Sequence, residues 1–130
     1  MSKYHSKKAR TADGILHDSR KEARRWSELH LLERAGAITG LQRQVKYVLI
    51  PKQEERYERI SPKTGKRLTD GVRTIEHECA YVADFVYQDA VTGELVVEDV
   101  KGYKKGAAYS IFSIKRKLML HIHHIRVREI

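Results

Sequence analysis

Residues 81–101 read YVADFVYQDAVTGELVVEDVK, a stretch that carries the central strands of the predicted sheet. It predicts two strands, over residues 80–87 and 94–101, joined by a turn at residues 89–93. Both strands are apolar on both sides, so both faces of the hairpin are expected to be covered. Each strand nevertheless carries a carboxylate near its middle. Burying a charge is costly unless the charge is paired or bound to a metal, so these acids need an explanation.

The register of this hairpin follows from its turn. If residues 90–93 form a four-residue loop, Asp89 lies opposite Glu94. Counting back along both strands then places Asp84 opposite Asp99. Directly opposed side chains have Cβ atoms about 4.5–5.5 Å apart. Two like charges at that separation repel unless a cation lies between them, and a divalent metal with oxygen ligands fits the gap.

Strand alternation assigns the neighbouring side chains to faces. It puts Lys101 on the same face as Asp99 and Glu98 on the opposite face. One face therefore carries two acids and a lysine. The alternative interpretation is an ordinary edge strand with solvated acids and Lys101 as a salt-bridge partner. A one-residue slip in register would remove the juxtaposition.

The other elements are marked by capping and periodicity. Ser19 and Glu22 have the S-x-x-E spacing of a capping box and open a helix over residues 19–35, and Gly36 stands at its C-cap. The remaining predicted elements are strands over 14–17, 45–50 and 125–130 and a second helix over 107–120, with Ile111, Ile114 and Leu118 on one stripe. This order predicts a small α/β or α+β layer domain with a mixed sheet.

The charge of the chain is unevenly distributed. The 130 residues carry a net charge of +9, with +5 in residues 1–25, −3 in residues 26–100 and +7 in residues 101–130. An acidic middle between basic ends suits a site where carboxylates hold a cation while lysines and arginines hold phosphates. Solvated charged faces are the alternative interpretation.

Composition excludes several classes of protein. No apolar run approaches the roughly 20 residues that span a bilayer, and the basic N-terminus lacks the apolar stretch of a secretory signal. The single cysteine, Cys79, excludes an intramolecular disulfide framework and a multi-cysteine zinc site. We expect a single cytoplasmic domain over residues 1–130, with a basic arm at 1–13 and a protruding hairpin or mobile loop at 51–75.

The acidic hairpin also carries a resemblance to a known family. Asp84, a turn and Asp99-Val100-Lys101 resemble the motifs of the PD-(D/E)XK nuclease superfamily. Together with residues 19–23, the chain is similar to a small phage-encoded branch of that superfamily, usually labelled as domains of unknown function. The resemblance covers most of the chain except residues 51–75. It implies a restriction-endonuclease-like αβββαβ core, in which helices flank a mixed central sheet.

The resemblance also implies a chemistry. It implies hydrolysis of a phosphodiester bond with Mg²⁺ or Mn²⁺ as cofactor, in the host cytoplasm if the protein is phage-encoded. By position, Asp84, Asp99 and Glu22 match the metal ligands, and Lys101 matches the catalytic lysine. A metal held by such carboxylates acidifies water and polarises phosphate. The lysine positions the water or stabilises the transition state.

Two departures and one ambiguity accompany this assignment. The residue before Asp84 is Ala83, where the family motif has proline. Glu98 and Asp99 offer two acids before the lysine, and the motif spacing and strand parity choose Asp99 without excluding Glu98. Glu22 is either a metal ligand on the leading helix or a capping-box residue bound to the backbone N–H of Ser19.

Basic residues outside the hairpin are candidate phosphate contacts, which set affinity without reading sequence. The predicted nucleic-acid contacts are Lys3, Lys7, Lys8, Arg20, Arg24, Lys104, Lys105 and Lys115. Lys115 is alternatively a lysine that extends to solvent along an apolar face. Gln44 is either a contact to substrate or bound water, or an ordinary polar residue at a strand start.

These features together favour a phage DNA endonuclease. A compact basic nuclease without a sequence-reading module suits structured or branched DNA, such as a Holliday junction, and a homodimer would supply two sites for two strands. Both extensions are analogies at the level of the fold. The alternatives are a non-catalytic nucleic-acid-binding domain with the same fold and an RNA nuclease. No membrane partner is expected.

Overall fold

A computed structural model describes residues 7–102 and 104–130 of the chain. In chain order the elements are β1 (Ala9–Arg10), β2 (Leu16–His17), α1 (Arg20–Arg34), β3 (Ile38–Ile50), β4 (Gln53–Tyr57), β5 (Gly71–Glu76), β6 (Cys79–Asp89), β7 (Leu95–Asp99), α2 (Ala107–His123) and β8 (Arg128–Glu129). The chain divides into two compact units. Val48–Ala80 form one unit, and the flanking segments form the other.

A mixed four-stranded sheet organises the larger unit. Its strand order is β3-β6-β7-β8, with β6 and β7 antiparallel and β7 and β8 parallel. The parallel pairing of Glu98 with Arg128 and of Asp99 with Glu129 requires a crossover, and α2 provides it. The order α1, β3, β6, β7, α2, β8 is the αβββαβ core. The predicted mixed α+β fold is therefore confirmed.

Helix α1 has both of its predicted ends. At the start, the Ser19 hydroxyl accepts the N–H of Glu22 at 3.0 Å. At the end, Gly36 adopts a positive φ of 80° and Ala37 donates to the carbonyl of Leu32 at 2.9 Å, which is the bond of a Schellman motif. Because Gly36 lacks a Cβ, the chain turns here without strain.

The core lies between α1 and one face of the sheet. The Trp26 and Phe85 rings stack with centroids 5.8 Å apart, and Leu29 beside them is fully buried. Ile38, Tyr87 and Val96 complete this cluster. Burial of these side chains is the main contribution of α1 to the stability of the fold, at about 1.5–3 kcal/mol for each side chain.

Two predictions about individual elements need correction. Strand β3 begins at Ile38, seven residues before the predicted start at Val45. Its first half alternates exposed and half-buried residues and contains a glycine, so it lacks the apolar run that marks a strand. In α2 the buried residues are Phe112 and Met119, whereas Ile111 and Ile114 of the predicted stripe are exposed. Both faces of α2 carry apolar residues, so periodicity could not choose between them.

The N-terminal segment is partly folded. Residues 1–6 of the predicted arm lie outside the described residues, but Ala9 pairs with His17 and Arg10 with Leu16. These pairs form a small antiparallel sheet between β1 and β2. The side chain of Asp13, in the intervening turn, accepts from the Trp26 indole N–H at 2.6 Å. This bond ties the segment to α1.

The smaller unit, residues 48–80, contains an antiparallel hairpin. Strands β4 and β5 pair from Gln53 with Glu76 to Tyr57 with Gly71, and an isolated bridge joins Ile60 and Arg67. A Cβ built at Gly71 would lie 2.2 Å from Cζ of Tyr57. A side chain at position 71 would therefore require the exposed Tyr57 ring to move from its place against the opposite strand.

Candidate active site

The predicted register of the β6–β7 hairpin is confirmed. Phe85 pairs with Glu98 and Val86 with Val97, so the same register continued by one residue places Asp84 opposite Asp99. The backbone N–H of Val100 donates to Oδ2 of Asp84 at 2.7 Å. The two acids thus lie side by side at the end of the β6–β7 ladder.

Both carboxylate oxygens of Asp99 have a bonded partner. The Tyr81 hydroxyl donates to Oδ2 at 2.7 Å, and Nζ of Lys101 lies 2.7 Å from Oδ1. The Lys101 ammonium also lies 3.7 Å from the centroid of the Phe112 ring, so α2 covers it from one side. These contacts fix a lysine and a buried carboxylate in one orientation. Alternation puts Tyr81 and Asp84 on opposite faces of β6, so the bond from Tyr81 to Asp99 could not be predicted from the strand pattern.

Glu22 belongs to this cluster through its side chain. Its backbone N–H is the group that Ser19 caps, and its carboxylate is buried. Burial, then Asp18 and Asp99, raise the pKa of Glu22, while Arg43 opposes the rise. The carboxylate therefore lies within electrostatic range of Asp99.

Burial and neighbouring carboxylates both disfavour the ionised form of Asp84. Burial first, and then the carboxylates of Asp99 and Glu22, raise the pKa of Asp84 from 3.8 to about 7. The N–H of Val100 and the ammonium of Lys101 act in the opposite direction. Glu22, Asp84, Asp99 and Lys101, predicted as site residues from three separate elements, are thus electrostatic neighbours.

Glu98, the second acid of the motif, lies on the other face of β7. Its side chain is fully buried. Oε1 accepts from Nε of Arg25 at 2.8 Å, Oε2 accepts from Nη2 at 2.6 Å, and the Tyr87 hydroxyl also donates to it. Hydrogen bonds to Glu98 raise the pKa of Arg25 above its usual range. Glu98 is therefore the anchor of a buried ion pair between α1 and the sheet, and Asp99 alone faces the other acids.

A buried histidine and an arginine stand beside Glu22. His17 is fully buried, with Nδ1 3.8 Å from Oε1 of Glu22 and Nε2 3.3 Å from the Thr11 hydroxyl. Burial, then the nearby charge of Arg43, lower the pKa of His17. Nδ1 of His17 and Nε of Arg43 have no hydrogen-bond partner in the described part of the chain. Because neither residue lies in a recognisable motif, sequence reasoning missed both.

Two predicted phosphate contacts, Lys7 and Arg20, lie close together near the end of β7. They line a pocket of about 270 Å³ with Lys21, Ser19 and Gly102. Nζ of Lys21 donates to the backbone carbonyl of Lys101 at 2.7 Å, and the Lys101 ammonium lies 2.7 Å from Asp99. Lys101 therefore connects this basic pocket to the acidic cluster.

The other predicted contacts are more scattered. Lys8, Arg24, Lys104 and Lys105 are exposed, Lys115 is half-buried on α2, and Lys3 lies outside the described residues. Gln44 is exposed within β3 at a positive φ of 56°. A left-handed residue other than glycine costs about 1–2 kcal/mol, so Gln44 marks a local distortion of the strand.

The described residues contain neither a three-ligand metal group nor a membrane-spanning helix. Within residues 7–102 and 104–130, no group of three or more His, Cys, Asp or Glu side chains is arranged to hold a metal ion. The three predicted ligands are thus electrostatic neighbours without forming a three-ligand group. In the same residues, no helix is long and apolar enough to cross a membrane.

Comparison with known proteins identifies the family. A family model described as "Protein of unknown function (DUF1064)" matches residues 1–129. The chain belongs to the DUF1064 family. No curated protein and no solved structure matches it. The match includes residues 51–75, so the hairpin unit lies within the region that the DUF1064 model covers.

Proposed function

We propose that this DUF1064 chain is a metal-dependent phosphodiesterase, and specifically a DNA endonuclease of the PD-(D/E)XK type. The observation that carries the proposal is the opposition of Asp84 and Asp99 with the ammonium of Lys101 beside them. Two neighbouring carboxylates, Asp84 half-buried and Asp99 buried, destabilise a fold unless cations neutralise them. Holding a divalent cation at a phosphate is the purpose that this arrangement serves best.

The donor set suits Mg²⁺ or Mn²⁺. Mg²⁺ keeps several waters and commonly binds through one or two carboxylates together with substrate phosphates, so a three-ligand group is not required. Each carboxylate offers about four lone-pair positions. The Val100 N–H occupies one on Asp84, while Tyr81 and Lys101 occupy two on Asp99. Both acids therefore keep free acceptor positions, and Glu22 offers a third carboxylate nearby.

Each residue of the cluster would have its own role in phosphodiester hydrolysis. Asp84 and Asp99 would hold the cation, with Glu22 as the additional acid. When bound, the metal supplies an acidified water and polarises the phosphoryl group. Lys101 would stabilise the negative charge that develops on the phosphoryl oxygens. Tyr81 and Lys101 together keep Asp99 in a single orientation.

The surroundings favour a nucleic-acid substrate. The basic pocket of Lys7, Arg20 and Lys21 lies beside the acidic cluster and suits backbone phosphates. We extend the proposal to structured or branched DNA, to action as a homodimer and to the cytoplasm of a bacterial host. A non-catalytic nucleic-acid-binding domain is the second candidate. It is favoured by the partners that Asp99 already has within the chain, the Lys101 ammonium and the Tyr81 hydroxyl.

A cleavage assay tests the proposal. Labelled single-stranded, duplex, flap and four-way-junction DNA and a matched RNA would each be incubated with Mg²⁺, Mn²⁺ or EDTA. We expect metal-dependent cutting by the wild type and a loss of at least about 100-fold in Asp84→Asn, Asp99→Asn and Lys101→Met. Glu94→Gln is the matched control, because it neutralises an exposed carboxylate on the same hairpin.

Calorimetric titration with Mn²⁺ supplies a second readout. Asp84→Asn should lose Mn²⁺ binding, while Glu94→Gln should keep it. Salt-sensitive binding of DNA without cutting of any substrate, and without Mn²⁺ binding, would favour the non-catalytic domain. Preferential cutting of the RNA would replace DNA by RNA as the substrate.

A further inference from the structure

In the smaller unit, paired and unpaired charges occupy different parts of the hairpin. On β4, β5 and the adjoining residues, three of four basic side chains have an acidic partner, and Arg56 has none among the described residues. The pairs are Lys52 with Glu54 at 2.7 Å, Arg73 with Glu55, and Arg67 with Asp70 at 3.1 Å and with Glu58 at 3.8 Å. These ion pairs use most of the carboxylates of residues 48–80. The strands of the hairpin are therefore close to neutral.

The hairpin tip, residues 59–68, is different. Arg59, Lys63 and Lys66 are exposed and lie in a stretch of ten residues that contains no acid. None of the three has an ion pair with any part of the chain that the structure describes. An unpaired cation can bind an external anion without first breaking an internal bond. Positive charge available to a partner is thus concentrated at the tip.

The backbone of the tip is closed by its own hydrogen bonds. The carbonyl of Ser61 accepts from Gly65 at 2.9 Å, and the N–H of Ser61 donates to the carbonyl of Lys66 at 2.9 Å. The Ser61 hydroxyl also accepts from the N–H groups of Lys63 and Thr64 at 3.4 and 3.3 Å. Lys63 and Lys66 therefore extend from a bonded turn, and binding through them costs little backbone entropy.

From this arrangement we propose that the hairpin is a DNA-binding ribbon whose tip contacts backbone phosphates through Lys63, Lys66 and Arg59. A two-stranded β-ribbon fits the major groove of duplex DNA. Strands β4 and β5 form such a ribbon, and nearly all of their residues are exposed. The proposal deepens the proposed function, because it assigns part of the grip on the same DNA to the smaller unit. It rests on that function only for the choice of DNA as the polymer.

The test measures binding separately from cleavage. Affinity for a short fluorescent DNA duplex would be measured in EDTA over a range of salt concentrations. Each phosphate contact contributes about 0.9 to the slope of log affinity against log salt. Lys63→Ala/Lys66→Ala should therefore reduce the slope by about 1.8. The affinity ratio of wild type to variant should shrink about 12-fold between about 50 and 200 mM salt.

The matched control is Lys52→Ala/Arg73→Ala. It removes the same charge from the same hairpin, but at residues already bound to carboxylates. We expect it to change the slope by well under one unit. Equal slopes for the two double variants would overturn the inference, because only a general charge effect would then remain.

Hydrogen exchange of the wild type gives an independent measurement. Saturating DNA duplex should slow exchange across residues 59–68, and unchanged exchange there would also refute the proposal. Neither experiment requires catalysis. A protein that fails to cut DNA but shows the slope difference and the protection would refute the nuclease while leaving the ribbon intact.

Discussion

Replacing Asp84 by asparagine is expected to stabilise the fold at pH 8 when divalent cations are absent. Burial, aided by the carboxylates of Asp99 and Glu22, raises the pKa of Asp84 from 3.8 to about 7. The ionised side chain is therefore disfavoured in the folded state and relieved by unfolding. Asparagine is neutral and of nearly the same shape, and its carbonyl oxygen can still accept the N–H of Val100.

The size of the effect follows from proton linkage. The pKa of Asp84 rises by about three units, and each unit corresponds to about 1.4 kcal/mol, so ionisation lowers the free energy of unfolding by about 4 kcal/mol. Below the unfolded pKa of 3.8 the group is protonated in both states and the penalty is absent. It grows as the pH rises towards 7 and is constant above that. Solvent relaxation around the site reduces the expected gain at pH 8 to about 2–4 kcal/mol.

Urea unfolding in EDTA at pH 5 and pH 8 measures this difference, with Glu94→Gln as the control. Asp84→Asn should gain more over the wild type at pH 8 than at pH 5, while the exposed control should change by less than about 0.5 kcal/mol at both. Mg²⁺ at about 100 times its dissociation constant should add about 2.7 kcal/mol to the wild type and nothing to Asp84→Asn. A variant no more stable than the wild type at pH 8 without metal would refute the electrostatic argument.

Two further predictions concern the stability of the fold outside the acidic cluster. Arg25→Ala should lower the free energy of unfolding, measured by urea unfolding, by about 3–5 kcal/mol, because it leaves the fully buried Glu98 without its partner. The control Arg24→Ala, at an exposed neighbouring residue, should lower it by less than about 0.5 kcal/mol. Gly71→Ala should destabilise the hairpin by about 1 kcal/mol or less, because its Cβ would meet the outer end of the exposed Tyr57 ring, which can turn aside. Hydrogen exchange should then accelerate in β4 and β5 while α1 keeps its protection, and uniform acceleration would contradict this.

The register of the acidic hairpin could be predicted because its determinants are local. Oδ1 of Asp89 accepts the N–H groups of Val91 and Thr92 at 2.8 and 3.0 Å, and Gly93 takes a positive φ of 73°. A turn of this chemistry fixes the pairing of both strands, and strand alternation then assigns faces. The juxtaposition of Asp84 with Asp99 needed nothing more than these short-range rules.

The rest of the site depends on contacts between residues far apart in the chain. The bond from Tyr81 to Asp99 contradicts simple alternation, and the position of His17 beside Glu22 depends on how β2 and α1 meet. The buried face of α2 is likewise selected by the ring of Phe112 against Tyr81 and Lys101, not by helical period. Pattern reasoning placed the acids but not the side chains that orient them.

The two adjacent acids of β7 have different roles. Glu98 stabilises the fold, and Asp99 belongs to the proposed active site. Glu98 points to the face covered by α1, where Arg25 and Tyr87 satisfy its oxygens and lock the helix to the sheet. Asp99 points to the other face, where burial and then the neighbouring carboxylates raise the pKa of Asp84. The bonded pair of Glu98 and Arg25 holds β7 against α1, whereas the adjacent carboxylates of Asp84 and Asp99 repel each other. The repulsion between Asp84 and Asp99 is therefore tolerated in a strand whose other face is fixed by an ion pair.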